Sequence, residues 1–410
     1  MIGAGISGLV AAHVLGRAHQ VTVFEAAPRV GGHTNTIDVR VGGSLHHIDT
    51  GFIVFNEPNY PGFCKLLRQL DVASQPTDMS FSVQCARTGL EYQGSGLGGF
   101  FAQRANWLRP RHWGLLKQIL AFNREAPALL DAPEDDRTLG EYLAQGGYGS
   151  ALREHYIEPM AAALWSTAPE AVLDFPAHYF VQFFENHGFF RLRGRPSWRV
   201  IEGGSQRYVE RLVASSSGSI RTGTPVRSVR RRDQAVEVST EAHGTEVFDE
   251  AVLAVHSDQA LALLGDPSDA EQAVLADVAY QPNEAILHSD ASVMPSRPRA
   301  WSSWNYHLPE AQGSGATVTY WMNMLQSLPE APPFFVTLNR TAAIDPRKVH
   351  RRIAYHHPRY DPAARAAQGR WGEINGVRRT WFCGAWWGWG FHEDGVQSAL
   401  RVCEAFGMTL

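Results

Sequence analysis

The chain has 410 residues, 44% of them hydrophobic and 19% charged, the composition of a folded globular protein rather than a disordered one. At roughly 150 residues per domain, that length predicts two or three domains' worth of chain. A formal net charge of −4 supplies no basic excess and argues against a nucleic-acid partner. Cys64, Cys85, Cys383 and Cys403 form no C-x-x-C pair, so no metal site and no disulfide framework is expected. Reduced, buried thiols in a cytoplasmic protein are the expectation. No run of about 18 uncharged apolar residues predicts a spanning helix, and no signal peptide precedes the first motif.

Gly3-Ala4-Gly5-Ile6-Ser7-Gly8 spells G-x-G-x-x-G. A helix is predicted over 9–17, with Leu9, Ala12, Val14 and Leu15 on its packed face. Residues 20–24 read as a buried strand that ends in Glu25. Helix, strand and acid in this register form the dinucleotide fingerprint. Gly3 permits a tight turn, Gly5 lets the backbone approach a pyrophosphate, and Gly8 lets the helix lie close to the sheet. The helix N-terminus at Ile6 and Ser7 offers free N–H groups and a partial positive charge to phosphates. Glu25 can accept hydrogen bonds from ribose hydroxyls. Only Met1 and Ile2 precede Gly3, where about four more apolar strand residues are expected. A clipped central strand is therefore expected, from a late start or a truncation.

Arg29-Val30-Gly31-Gly32-His33-Thr34 resembles the R-x-G-G-x-T motif of the two-domain flavoproteins, which include monoamine oxidases, protoporphyrinogen oxidase and phytoene desaturases. The resemblance implies non-covalently bound FAD, with this loop wrapping the pyrophosphate and ribityl chain. Paired glycines permit close backbone approach, and Arg29 brings a cation near two phosphates. Asp49-Thr50-Gly51-Phe52 continues the resemblance where the family chain passes close to the flavin. The implied fold is α/β: a Rossmann-like FAD-binding domain with an α+β substrate domain inserted discontinuously. Segments 1–66, 198–264 and 368–410 would build the first, and insertions 67–197 and 265–367 the second.

The first insertion reads as mainly helical. Within 96–124, Phe100, Phe101, Trp107, Leu108 and Trp113 interleave with Arg104, Arg109, Arg111 and Lys117, a pattern suited to a bilayer surface. A helical cap with inward-packed aromatics is the expectation preferred over that membrane contact. Pro110 interrupts any single long helix. Further on, 197–204 reads as a strand entering a Gly-Gly turn, with Ser205 placed to cap the next helix. Residues 220–229 resemble the family's strand whose backbone meets the adenine, with Val226 as the contact. Strand pieces follow at 236–238, 247–248 and 251–256, and Ser257-Asp258 begins a helix. The second insertion reads as antiparallel strands at 300–306, 316–324 and 334–339.

At the far end, 380–385 reads as a buried strand closing in Gly384, followed by a Gly- and Trp-rich loop and a helix over 396–406. The resemblance implies that this helix faces the pyrimidine end of the flavin, where its dipole favours negative charge on the reduced ring. Gly395 and Val396 would be backbone donors there, with Glu393 and Asp394 beside the ribityl chain.

Four strings resemble one bacterial branch of predicted NAD/FAD-binding, amine-oxidase-like proteins: residues 31–36, 49–56, 319–323 and 390–395. That branch is associated with cyclopropane and modified fatty-acid synthesis. The chain holds only Lys65, Lys117 and Lys348, none of them in the 316–324 strand where many amine oxidases of the superfamily place a lysine. Amine oxidation is therefore disfavoured. The expected function is FAD-dependent oxidation or desaturation of a bulky apolar substrate, a fatty-acyl lipid, with hydride passing to flavin N5. The alternatives are an amine oxidase, a flavoprotein isomerase without net redox change, and a non-catalytic flavin-carrying subunit of a partner lipid-modifying enzyme. Asn56, Tyr320, Asn323 and His392 are the candidate catalytic residues. Asn56 and Tyr320 would orient substrate, and His392, with a pKa near neutrality, would hydrogen-bond the flavin or shuttle a proton. The pairs His46-His47 and His356-His357 are expected to be structural, since adjacent strand residues point to opposite faces. The expected location is cytoplasmic, with a peripheral contact at the inner membrane face through residues 96–124 as the alternative.

Overall fold

The computed structural model describes residues 1–132, 134–191, 193–310 and 315–410. Two sheets organise them. The first is parallel, and Ile2 occupies its centre, bridged in parallel to Phe24 on one side and Leu253 on the other. Strand Ser219–Arg221 pairs with Thr22–Phe24 outside Ile2, and Ala251–Leu253 pairs with Thr380–Phe382 on the far side. Ile2 N–H donates to Val252 O and Gly3 N–H to Phe24 O, each at 2.8 Å, so the short central segment makes real ladder bonds.

Helix Ile6–Leu15 leaves this sheet and is buried along nearly its whole length. Helix His392–Ala405 packs across it. The crossing depends on two glycines. A Cβ at Gly8 would lie 2.0 Å from Gly3 O, and one at Gly395 would lie 2.7 Å from Ile6 Cγ2. Gly3 itself has φ +97°, which side chains rarely adopt.

The second sheet has seven strands, in the order Val349–Pro358, Tyr280–His288, Phe335–Leu338, Val318–Trp321, Trp304–Leu308, Phe81–Cys85, Leu90–Gln93. All neighbours are antiparallel except Trp304–Leu308 with Phe81–Cys85. Helices between residues 110 and 186 share one core with this sheet, joining Phe122, Phe180 and Phe184 to Val83, Val318 and Val336. Truncating one such fully buried phenylalanine to alanine costs about 3–5 kcal/mol.

Several local expectations change. Residues 67–197 contain three strands before their helices, because 81–85 and 90–93 complete the edge of the large sheet. Two strands of that sheet, Tyr280–His288 and Val349–Pro358, lie outside the expected set. The 220–229 strand is broken in two, Ser219–Arg221 and Val226–Arg231. Gly223 at φ +61° turns the chain between them, and Pro225 brings no N–H for a ladder. Ser205 does not cap the following helix. Its Oγ and N–H both donate to Asp49, at 3.0 and 2.9 Å. The last helix begins at His392 rather than 396, because Asp394 accepts from Phe391 N–H at 2.8 Å and closes the first turn.

Candidate active site

A cavity of about 760 Å³ is lined from both sheets. One end is built from backbone. Gly3, Gly5, Ile6 and Ser7 line it at the start of the first helix, whose first-turn N–H groups have no intrahelical partner. Gly31, Gly32 and His33 form the facing shelf, with Gly51 and Phe52 beside them. Val226 and Gly384 also line the cavity. Nothing lies within 4 Å of a Cβ built on Gly5, and a Cβ on Gly32 would stand 3.1 Å from Gly5 Cα. These two glycines leave a groove that side chains would fill.

Glu25 lines this end too. Ala4 N–H donates to its Oε2 at 2.7 Å and Ala27 N–H to its Oε1 at 2.8 Å. The carboxylate is thereby fixed while keeping lone pairs free for hydroxyl donors. A glycine groove, a helix N-terminus and a fixed acid together fit a dinucleotide carrying a pyrophosphate.

Other residues expected at the cofactor serve the scaffold. Arg29 donates to Thr34 O at 3.1 Å and Gly32 O at 2.8 Å, so it clamps its own loop and does not line the cavity. Glu393 accepts from Gly62 N–H and Phe63 N–H, both at 2.8 Å, and so caps helix Pro61–Gln69. Asp394 closes its own helix, and burial raises its pKa to about 7. Gly395 N–H already donates to Phe391 O at 3.2 Å, and Val396 lies deeper in the helix, so neither is a free donor. Thr34 and Gly8 do not line the cavity: Thr34 N–H donates to Gly31 O at 2.9 Å, and Gly8 lies against Gly3 O.

His392 lines the cavity and stacks on Phe52, with ring centroids 3.6 Å apart. Its Nε2 lies 2.7 Å from Tyr208 Oη, which lies 2.5 Å from Thr34 Oγ1. Burial lowers the His392 pKa to about 3. The ring is neutral at pH 7, which corrects its expected role as a near-neutral proton shuttle.

A histidine and tyrosine wall extends beyond the expected His33, and its other members were not foreseen from the sequence. His33, His256, His356 and His357 all line the cavity, although they come from three segments. The His33 ring stacks on Tyr355 at 4.9 Å and lies 5.4 Å from the ring of His357. The His256 ring stacks on Tyr280 at 4.3 Å. Burial, with repulsion from neighbouring histidines, lowers His33 and His256 to about 4 and His357 to about 3. The pair 356–357 therefore belongs to the cavity, contrary to expectation. Both residues sit where the strand ends at Pro358. Among the described residues, no group of three or more His, Cys, Asp or Glu is arranged to hold a metal ion.

The other end is aromatic and apolar. Met79, Leu164, Trp165, Trp304, Tyr320 and Leu338 line it. Tyr320 is buried and meets Trp304 edge-on at 4.8 Å. Ser166, held at φ +49°, also lines this end, and its carbonyl accepts from Asn283 Nδ2 at 3.0 Å. Trp304 Nε1, Tyr360 Oη and Trp389 Nε1 belong to lining residues and are buried without a partner. Asn56 and Asn323 do not line the cavity, which corrects their expected roles. Asn56 Oδ1 accepts from Asn59 N–H at 3.0 Å and shapes a turn. Asn323 accepts from Phe334 N–H at 2.7 Å and donates to the carbonyls of Leu328, Ala331 and Pro332.

The profile of the family described as flavin containing amine oxidoreductase matches residues 6–289. No curated protein matches the chain. Among solved structures, a CLA-producing fatty acid isomerase from P. acnes is similar at 17% identity, covering 99% of this chain and 97% of that one, with TM-score 0.70. Cyclohexylamine oxidase from Brevibacterium oxydans IH-35A is similar at 15% identity, covering 99% and 98%, with TM-score 0.70. Wild-type putrescine oxidase bound to putrescine is similar at 15% identity over the same shares, with TM-score 0.69. At these identities the likeness is one of fold. The family profile and the dinucleotide groove agree: the chain belongs to the flavin containing amine oxidoreductase family and is a FAD-dependent oxidoreductase.

Proposed function

We propose that this oxidoreductase oxidises or desaturates a bulky apolar substrate, a fatty-acyl lipid. When bound, FAD supplies the acceptor for a hydride from a substrate C–H. The observation that carries the substrate class is the absence of fixed charge at the aromatic end of the cavity. Among the described residues lining the cavity, Glu25 is the one carboxylate, it lies at the glycine end, and no lysine is present. Lys348, the lysine nearest in sequence to the cavity strands, pairs with Asp290 at 3.0 Å instead. A protonated amine at the aromatic end would lose its hydration without gaining a counter-charge, at a cost of several kcal/mol. An acyl chain would gain about 0.8 kcal/mol for each CH₂ buried there.

The chain's own residues then have distinct tasks. In this reading segments 1–66, 198–264 and 368–410 hold the cofactor, while 67–197 and 265–367 hold the substrate. Gly3, Gly5, Gly31, Gly32 and Glu25 bind the dinucleotide. Tyr320, positioned against Trp304, orients the substrate. The aromatic walls exclude water. His392, fixed by Tyr208 and Phe52, is a neutral hydrogen-bonding group beside the cofactor.

An isomerase without net redox change is the second reading. It is favoured by the fatty acid isomerase among the proteins that share this fold. Anaerobic bleaching of the oxidised flavin band separates the two. Detergent-dispersed membrane lipid should bleach the holoprotein, and a panel of primary and secondary amines should not. Bleaching by amines alone would overturn the proposal in favour of amine oxidation. Conversion of lipid only after prereduction would assign the isomerase. No response to lipid or amines, with turnover only alongside a copurifying enzyme, would assign the flavin-carrying subunit.

A further inference from the structure

A second cavity, of about 580 Å³, lies apart from the flavin site. Four arginines line it, Arg104, Arg109, Arg297 and Arg299, together with Gln103 and two alanines. No carboxylate is among these lining residues. Like charges gathered in one concavity repel, so the cluster has to be held together by the fold.

The ties are on the edge strand Leu90–Gln93. Glu91, buried, accepts from Ser296 N–H and Oγ at 2.8 Å and from Arg297 N–H at 3.2 Å. Gln103, also buried, donates to Gly89 O at 2.6 Å and accepts from Glu91 N–H at 3.2 Å. Two segments far apart in sequence are thereby fixed to one strand, each presenting two guanidinium groups. Among the described residues, Arg297 alone of the four has a carboxylate partner, Glu91 at 3.2 Å. Arg109 donates to Asn106 Oδ1 at 3.1 Å.

Beside this cavity in the chain stands an exposed apolar tip. Leu108 is 88% exposed, Leu97 57%, Trp107 47% and Trp113 41%. Phe101 is buried beneath it and stacks on Trp107 at 4.0 Å, so the tip is rigidly backed. From Tyr92 to Arg124 the sequence has no Asp or Glu, while Arg104, Arg109, Arg111, Lys117 and Arg124 are all basic.

We infer that this face docks the protein on an anionic membrane, with the arginine cavity taking a lipid headgroup phosphate and the Trp107–Leu108 tip entering the interface. Guanidinium forks match phosphate oxygens in geometry and charge. Tryptophan and leucine beside basic residues suit the headgroup boundary. Charge complementarity selects an anionic lipid surface, and the apolar tip selects a membrane over a soluble anion. The inference deepens the peripheral contact through residues 96–124 and stands whatever substrate the flavin site takes.

The test is cosedimentation of holoprotein with vesicles of phosphatidylcholine alone and of phosphatidylcholine mixed with phosphatidylglycerol. Wild type should partition to the mixed vesicles in a salt-sensitive way. The double variant Arg104→Gln/Arg299→Gln should lose about twenty-fivefold, from two charges at roughly fivefold each. Leu108→Ser should weaken binding while preserving its salt dependence. With detergent-dispersed substrate the double variant should bleach as wild type does, which separates a docking defect from a wrong substrate. Unchanged partition of the double variant would overturn the inference. So would stabilisation by inorganic phosphate without vesicle binding, or tighter binding to a homopolymeric RNA than to the anionic vesicles.

Discussion

The two ends of the flavin cavity are made of different material. The glycine end is backbone: a helix N-terminus, a glycine shelf and one acid pinned by two N–H groups. The aromatic end is side chains, drawn from residues as distant as Met79, Trp165, Trp304 and Leu338. A backbone surface recognises groups that every dinucleotide shares, and it tolerates almost no change in chain geometry. A side-chain surface can be rebuilt one residue at a time without disturbing the cofactor. The cavity thus separates what is fixed, the binding of FAD, from what is adjustable, the choice of substrate.

The sharpest way to break this comparison is at the glycine end. Gly5→Val adds a Cβ that meets no protein atom within 4 Å beyond its chain neighbours, so the chain should fold normally. It should nevertheless purify colourless, because the side chain occupies the pyrophosphate's approach. Normal yellow protein would refute the groove. Gly8→Val should differ in kind: its Cβ would meet Gly3 O at 2.0 Å, so soluble protein itself should be lost.

Asn323→Ala should give the next largest effect, of about 2–3 kcal/mol in urea unfolding, because it leaves Phe334 N–H and three half-buried carbonyls without their partner. The flavin spectrum and turnover per bound flavin should not change. A selective loss of turnover would return Asn323 to the catalytic set. At the aromatic end, Tyr320→Phe should keep FAD and lower kcat/KM roughly tenfold, the worth of one orienting hydrogen bond. Unchanged kcat/KM would mean that Tyr320 does not face the substrate.

The smallest effect concerns the histidine wall. His33, His256, His357 and His392 are held near 3–4 when folded. Unfolded histidines take up protons near pH 6.5. Between about pH 6.5 and 4 the unfolded chain therefore binds more protons, so stability is full above this window and falls as pH drops through it. Asp49, raised to about 6 by burial, acts in the opposite direction. His256→Gln should flatten the dependence of the unfolding free energy on pH, by at most about 1.4 kcal/mol per pH unit. An unchanged slope would show that His256 is not buried neutral.

The difference in material also explains what was readable from the sequence. Gly3, Gly5, Gly31, Gly32 and Glu25 act through local geometry, and local geometry is written in short motifs. The aromatic end depends on non-local strand pairing, which no motif encodes. His256 and His356 approach, ring centroids 6.4 Å apart, because two strands from different parts of the chain end beside one cavity. Arg29, Glu393 and Asp394 were legible as charged groups near the cofactor, but their partners were not. Each is held by backbone groups of the scaffold, Glu393 by a helix that begins at Pro61. The strands Tyr280–His288 and Val349–Pro358 were hidden by Pro282 and Glu284 on the exposed face of the first and by Arg351 and Arg352 in the second. Of the arginine cavity, Arg104 and Arg109 were legible as part of a basic stretch, but Arg297 and Arg299 were not, since Glu91 and Gln103 assemble the site across some two hundred residues of chain.

The measurement that tests the central claim most directly compares two ligands of one chain length, a long-chain fatty-acyl ester and the corresponding primary amine. Both are offered anaerobically to holoprotein at pH 7, and the rate of flavin reduction is followed. An aromatic end without fixed charge predicts saturable reduction by the ester and none by the protonated amine. Reduction by the amine but not by the ester would contradict it.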